Sequence, residues 1–162
     1  MTGFDTVVQI CEDLGEAATL FPRYYLRVAA RLENLSVLRD FVRSAVSQQA
    51  ADAGAVADLV LAVDEAATNI IVHGYAGCGG SIEVSVEHTA DALTVQLRDQ
   101  ADPFDPRCVP LPYLSVPLEQ RQPGGLGVHL MRQLVDEVRY RPRHGYGNEL
   151  TLVKRLHSPQ KD

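Results

Sequence analysis

The chain has 162 residues, 46% hydrophobic and 22% charged, a balance that suits one domain with a sizeable core and excludes a disordered or fibrous protein. Its net charge of −6 argues against direct nucleic-acid binding; no apolar run approaches the ~20 residues of a membrane helix, and the N-terminus lacks the basic start and apolar core of a signal peptide. Cys11, Cys78 and Cys108, an odd set without a CxxC pair, fit a reducing compartment, so the expected location is the cytoplasm.

In chain order, residues 1–20 are read as a leader, helical if Asp5 caps it and Val8, Ile10, Leu14 and Ala17 form its stripe. The main domain is expected over residues 21–157. Arg23 to Ala30 alternates as a strand. A helix follows, with Asn34 or Ser36 near its cap and Leu35, Leu38, Phe41, Val42, Ala45 and Val46 on its buried face. Asp52-Ala53-Gly54 breaks the chain before a long helix that ends at Gly74, buried through Val56, Leu59, Val60, Val63, Ala67, Ile70 and Ile71. Residues 82–87 and 93–98 alternate and read as an antiparallel hairpin joined near Ala90-Asp91. From Asp102 to Pro123 the density of proline predicts no regular element, and a loop of this length, about residues 102–125, reads as a lid. Gly124, Gly125 and Gly127 open a helix with Leu126, Leu130, Met131, Leu134 and Val135 inward. Residues 138–140 and 150–156 are closing strands around a turn at 145–148, and 158–162 is a loose tail. The expected fold is α+β, a two-layer sandwich in which a mixed, mostly antiparallel sheet carries helices on one face.

Three islands carry chemistry. Glu65 and Asn69 stand four residues apart on the long helix and project from one face, the carboxylate suited to accept a proton and the amide oxygen to hold Mg²⁺; the plain alternative is an exposed pair on an amphipathic helix. Asp99, at the end of a strand, can accept from an exocyclic amine such as that of adenine, or simply start the turn before the prolines. The cluster Gly124-Gly125-Leu126-Gly127 before a helix lets backbone N–H groups approach phosphate, or is a plain linker; it fits neither a Rossmann βαβ unit nor a P-loop. His73, Cys78, Cys108 and His129 match no zinc spacing.

In this order the islands resemble a known family. Asp64-Glu65-Ala66-Ala67-Thr68-Asn69-Ile70-Ile71-Val72-His73-Gly74-Tyr75 is similar to the N box of bacterial anti-sigma-factor serine/threonine kinases, members of the GHKL (histidine-kinase-like) ATPases, together with gyrase and sensor histidine kinases. Residues 99–106 resemble the first glycine box, 124–138 the second, and 148–156 the last strand. The resemblance implies a Bergerat-type ATP site with a mobile lid. Glu65 would be the general base, Asn69 the Mg²⁺ ligand and Asp99 the reader of the adenine amine. Position 101 belongs to the first box, Gly124, Gly125, Leu126 and Gly127 would cradle phosphate, and Thr151 would support the adenine end. The implied activity is ATP-dependent phosphorylation of a small STAS-type anti-sigma-factor antagonist, with a sigma factor and a second copy of the chain as further partners. The alternative is a regulatory binding module of the same fold with weak or no turnover. The sequence departs from the family twice: Ala101 stands where glycine is expected, threatening crowding or a strained positive φ, and Pro123 stands where some members carry an arginine, with Arg121 close by.

Overall fold

The computed structural model describes residues 23–47, 52–110, 117 and 125–157, and the backbone of 7–11. Six strands form one sheet: β1 (Val7–Cys11), β2 (Arg23–Ala29), β3 (Ser81–His88), β4 (Ala92–Asp99), β5 (Glu137–Pro142) and β6 (Asn148–Arg155). The spatial order is β1-β2-β3-β4-β6-β5, and all five ladders are antiparallel, which sharpens the expected mixed sheet. Three helices, α1 (Leu35–Ser47), α2 (Ala53–Asn69) and α3 (Gly125–Leu134), supply the second layer. The expected leader helix is corrected at Val7–Cys11, which runs as a strand in register with Arg23–Arg27; pairing with a free sheet edge overrides a weak helical stripe. Leu14 and Ala17, the middle of the proline-rich loop and the tail 158–162 lie outside the described residues.

Alternation along the strands decides which face is covered. Leu26 and Val28, Ile82, Val84 and Val86, Leu93, Val95 and Leu97, and Leu150 and Leu152 point into the core. They meet Leu38, Val42 and Val46 of α1, Leu59, Val63 and Ala67 of α2, and Val128 and Met131 of α3. Residues of the other parity, among them Arg27, Glu83, Arg98 and Glu149, form a polar face without helices, with Arg98 Nε donating to Glu149 Oε2 at 2.9 Å. Such exposed pairs add little, about 0–1 kcal/mol.

α2 is the longest helix, and Asp52 caps it rather than breaking the chain: the Ala55 N–H donates to Asp52 Oδ1 at 3.0 Å. After Asn69 the run Ile70-Ile71-Val72 crowds the helix, and residues Ile70–Gly74 form a π turn in which the Tyr75 N–H donates to Ile70 O at 2.8 Å. α2 lies beside α3, and one lysine of β6 anchors both. Lys154 Nζ donates to Asp58 Oδ2 of α2 at 2.9 Å and to the Leu134 carbonyl that ends α3 at 2.8 Å.

Two sequence expectations are corrected in α3 and the loop before it. Met131 and Val135 are buried, but Leu126 is 42% exposed and Val128 is buried in its stead. The spacing 128, 131, 135 follows one helical face, and Leu126 lies about half a turn away from it. Within the proline-rich loop, residues Pro106–Cys108 form a 3₁₀ turn, closed by the Arg107 N–H donating to Asp105 Oδ1 at 2.9 Å.

Candidate functional site

The carboxylates Asp64 and Glu65 are adjacent in sequence but turn apart. Asp64 accepts from Arg39 Nη1 of α1 at 2.8 Å. Glu65 faces α3, where a Cβ built on Gly127 would lie 2.5 Å from its Oε2. Glycine lets the carboxylate take this position, where a side chain at 127 would require it to move, and the N-terminus of α3 favours negative charge. One turn along α2, Asn69 lines a cleft with Ala66, Ile70, Asp99, Ala101, Asn148 and Leu150. Of the three residues singled out from sequence, Asn69 and Asp99 line this cleft together, and Glu65 lies one turn before Asn69 on α2, against Gly127.

Asp99 ends β4 with only 3% of its surface exposed. Burial pushes its carboxyl pKa up; hydrogen bonds from Asn148 and the Ala101 N–H, and the charge of Arg143, offset part of that rise. Both hydrogen bonds it accepts from described residues fall on Oδ1, from Asn148 Nδ2 at 2.8 Å and the Ala101 N–H at 2.9 Å. Asn148 faces it in register at the start of β6. The turn that delivers Asn148 needs Gly147, whose φ is +93° and whose α carbon packs against the Asp99 carbonyl.

Thr151 is not part of this site. It pairs with Gln96 and carries the parity of the polar face, between the buried Leu150 and Leu152. A strand alternates faces with every residue, so a position three residues beyond Asn148 must point the other way. Asn148 is the residue of β6 that reaches the cleft. Sequence reading missed it, and the signal was parity: in an antiparallel pair starting at a carboxylate, the partner of Asp99 shares its face, and Thr151 does not.

Ala101 is 5% exposed and adopts no strained conformation, since Ala76 is the one non-glycine residue with positive φ among those described. Its methyl fits because position 74 has none: a Cβ on Gly74 would lie 3.0 Å from the Ala101 Cβ. The expected strain at Ala101 is thereby corrected. Gly125 begins α3, and among the described residues nothing lies within 4 Å of a built Cβ. Gly124, Arg121 and Pro123 lie outside the described residues.

Two further tyrosines organise the cleft. Tyr75 OH accepts from the Gln100 N–H at 2.8 Å and donates to the Ser81 carbonyl at 2.7 Å, and its ring lies where a side chain at Gly80 would be. Tyr140 lines the cleft beside Phe104 and Pro106, with the Arg107 guanidinium 5.8 Å above its ring.

The histidine kinase-like ATPase domain model matches residues 28–154. The chain belongs to this family. Among its relatives, serine-protein kinase RsbW of Bacillus subtilis is 32% identical over 142 residues, covering 85% of this chain and 88% of the relative. Anti-sigma F factor of Clostridium acetobutylicum is 29% identical over 134 residues, covering 81% and 92%. Serine/threonine-protein kinase BtrW of Bordetella bronchiseptica is 34% identical over 96 residues, covering 59% and 67%. The matched region of the ATPase domain contains every cleft residue named above. No helix among the described residues is long and apolar enough to cross a membrane.

Proposed function

We propose that the chain is an ATP-dependent protein serine/threonine kinase of the anti-sigma-factor type, which phosphorylates a small STAS-type antagonist protein and holds a sigma factor as its second partner. The observation that carries this reading is the position of Glu65: its carboxylate lies against Gly127 at the start of α3, one turn from Asn69, which shares a cleft with buried Asp99. The names of the relatives, two protein kinases and an anti-sigma factor, support it.

The residues suit the task. Asp99 offers an acceptor to the adenine amine. Asn69 presents an amide oxygen of the kind Mg²⁺ takes, and the ion would supply charge neutralisation to the phosphates. The backbone N–H groups around Gly125 and Gly127 favour anions at the N-terminus of α3; Gly124 and Leu126 adjoin them in sequence. Glu65 takes the proton of the partner's Ser or Thr hydroxyl as its oxygen bonds to the γ-phosphorus, and the bond to the ADP oxygen breaks.

Radiolabelled transfer from ATP to a STAS-type antagonist tests the reading. Glu65→Gln is expected to reduce transfer by at least a hundredfold while ADP affinity stays within about threefold, because the substitution keeps shape and removes the base. Transfer by the mutant at the wild-type rate would remove Glu65 from this role. Nucleotide binding by the wild type without transfer to any antagonist would make the chain a binding module.

A further inference from the structure

We infer that Asn148 is a positioning residue for base selection, which aims the Asp99 carboxylate into the cleft and ties it to the start of the loop after β4. This rests on the nucleotide-site reading given above. Every polar atom of the Asn148 amide is in use. Nδ2 donates to Asp99 Oδ1 at 2.8 Å, to the Asp102 carbonyl at 3.1 Å and, at the long limit of 3.4 Å, to the Ala101 carbonyl. Oδ1 accepts from the Phe104 N–H and from the Tyr140 hydroxyl, both at 2.8 Å.

These partners admit one orientation of the amide. The carboxylate and the two carbonyls can only accept, and the Phe104 N–H can only donate. A flipped amide would set oxygen against oxygen and leave buried groups without partners. With Asn148 and the Ala101 N–H both on Oδ1, the Asp99 carboxylate cannot rotate freely, and Oδ2 carries no hydrogen bond from the described residues. An acceptor held in that way suits the amino group of adenine. Guanine carries a carbonyl oxygen at the corresponding position, which a carboxylate repels. The same amide holds the Phe104 backbone, and Phe104 lines the cleft. One side chain thus sets the base reader and the first residues of the loop together.

Titrating the full chain with ADP and GDP, alongside amide exchange at Phe104, tests this. For Asn148→Leu, ADP affinity is expected to fall at least tenfold, the preference for ADP over GDP to shrink at least fivefold, and the Phe104 amide to exchange faster. Asn148→Thr has a single hydroxyl proton to give Asp99, and its β-branched side chain suits a strand. It is expected to keep the preference for ADP while Phe104 still exchanges faster, and it serves alone if the leucine variant does not fold. Equal losses for ADP and GDP in Asn148→Leu would reduce Asn148 to a strut and overturn the inference. A lost preference or unchanged Phe104 exchange in Asn148→Thr would do the same. Absence of ADP binding by the wild type would instead sink the nucleotide-site reading, and this inference with it.

Discussion

At Asp99, stability and function pull in opposite directions. Burial holds its folded pKa above the unfolded value of about 3.9, so the native chain binds more protons between the two. Its contribution to stability is present below the unfolded pKa and is lost as pH rises through the folded one. Above the folded pKa the ionised, buried group is a net cost. Asp99→Asn is therefore expected to melt at or above the wild-type temperature at pH 7, with the advantage shrinking toward pH 4, while its ADP affinity falls roughly 10- to 100-fold through loss of a charge-assisted hydrogen bond. A lower melting temperature at pH 7 would contradict this account. The pair Gly74 and Ala101 makes a second prediction. Gly74→Ala pushes two methyl groups into a space for one and should destabilise the fold by about 1–3 kcal/mol, and adding Ala101→Gly should recover most of the loss. Strictly additive denaturation energies would mean that the two positions do not share that space.

At the scale of elements, the cleft is built from the ends of several segments. Tyr75, just past the π turn of α2, reaches both the residue after β4 and the first residue of β3. Tyr75→Phe should cost about 1–3 kcal/mol in urea denaturation, since the Gln100 N–H loses its acceptor, and should weaken nucleotide binding through the neighbouring Asp99. An unchanged midpoint would mean that water replaces the hydroxyl. Elements with strong periodicity were legible in the sequence: the buried face of α2, the β3–β4 hairpin and the closing β5–β6 pair. Glu65, Asn69 and Asp99 were legible because each is a polar residue placed against an apolar pattern. What escaped depended on register. The alternation Leu150-Thr151-Leu152 turns Thr151 outward, but only the ladder with β4 sets Asn148 opposite Asp99. Likewise the fit of the Ala101 methyl depends on Gly74, 27 positions earlier, which meets it only in the fold. The strand at Val7–Cys11 takes its conformation from the edge it joins, so its own spacing was a poor guide.

Across the whole molecule, the helices cover one face of the sheet, and the cleft lies at the end of β4 and the start of β6, beside α2 and Met131 of α3. The uncovered face carries charges of both signs in cross-strand rows, such as Arg27, Glu83, Arg98, Glu149 and Arg141. Opposite signs beside each other suit water better than a single-signed ligand. The edge strand β5 adds Arg139, Arg141 and Pro142, which discourage further strand pairing. The attachment of Lys154 has a mechanical consequence. Asp58 and Leu134 each lie seven residues from the group that meets across the helices, Glu65 and Gly127, which is about 10 Å along either axis. The lysine thus acts as a crossbar between the two helices, and the spacing at which Glu65 meets Gly127 is set in part by a side chain that touches neither.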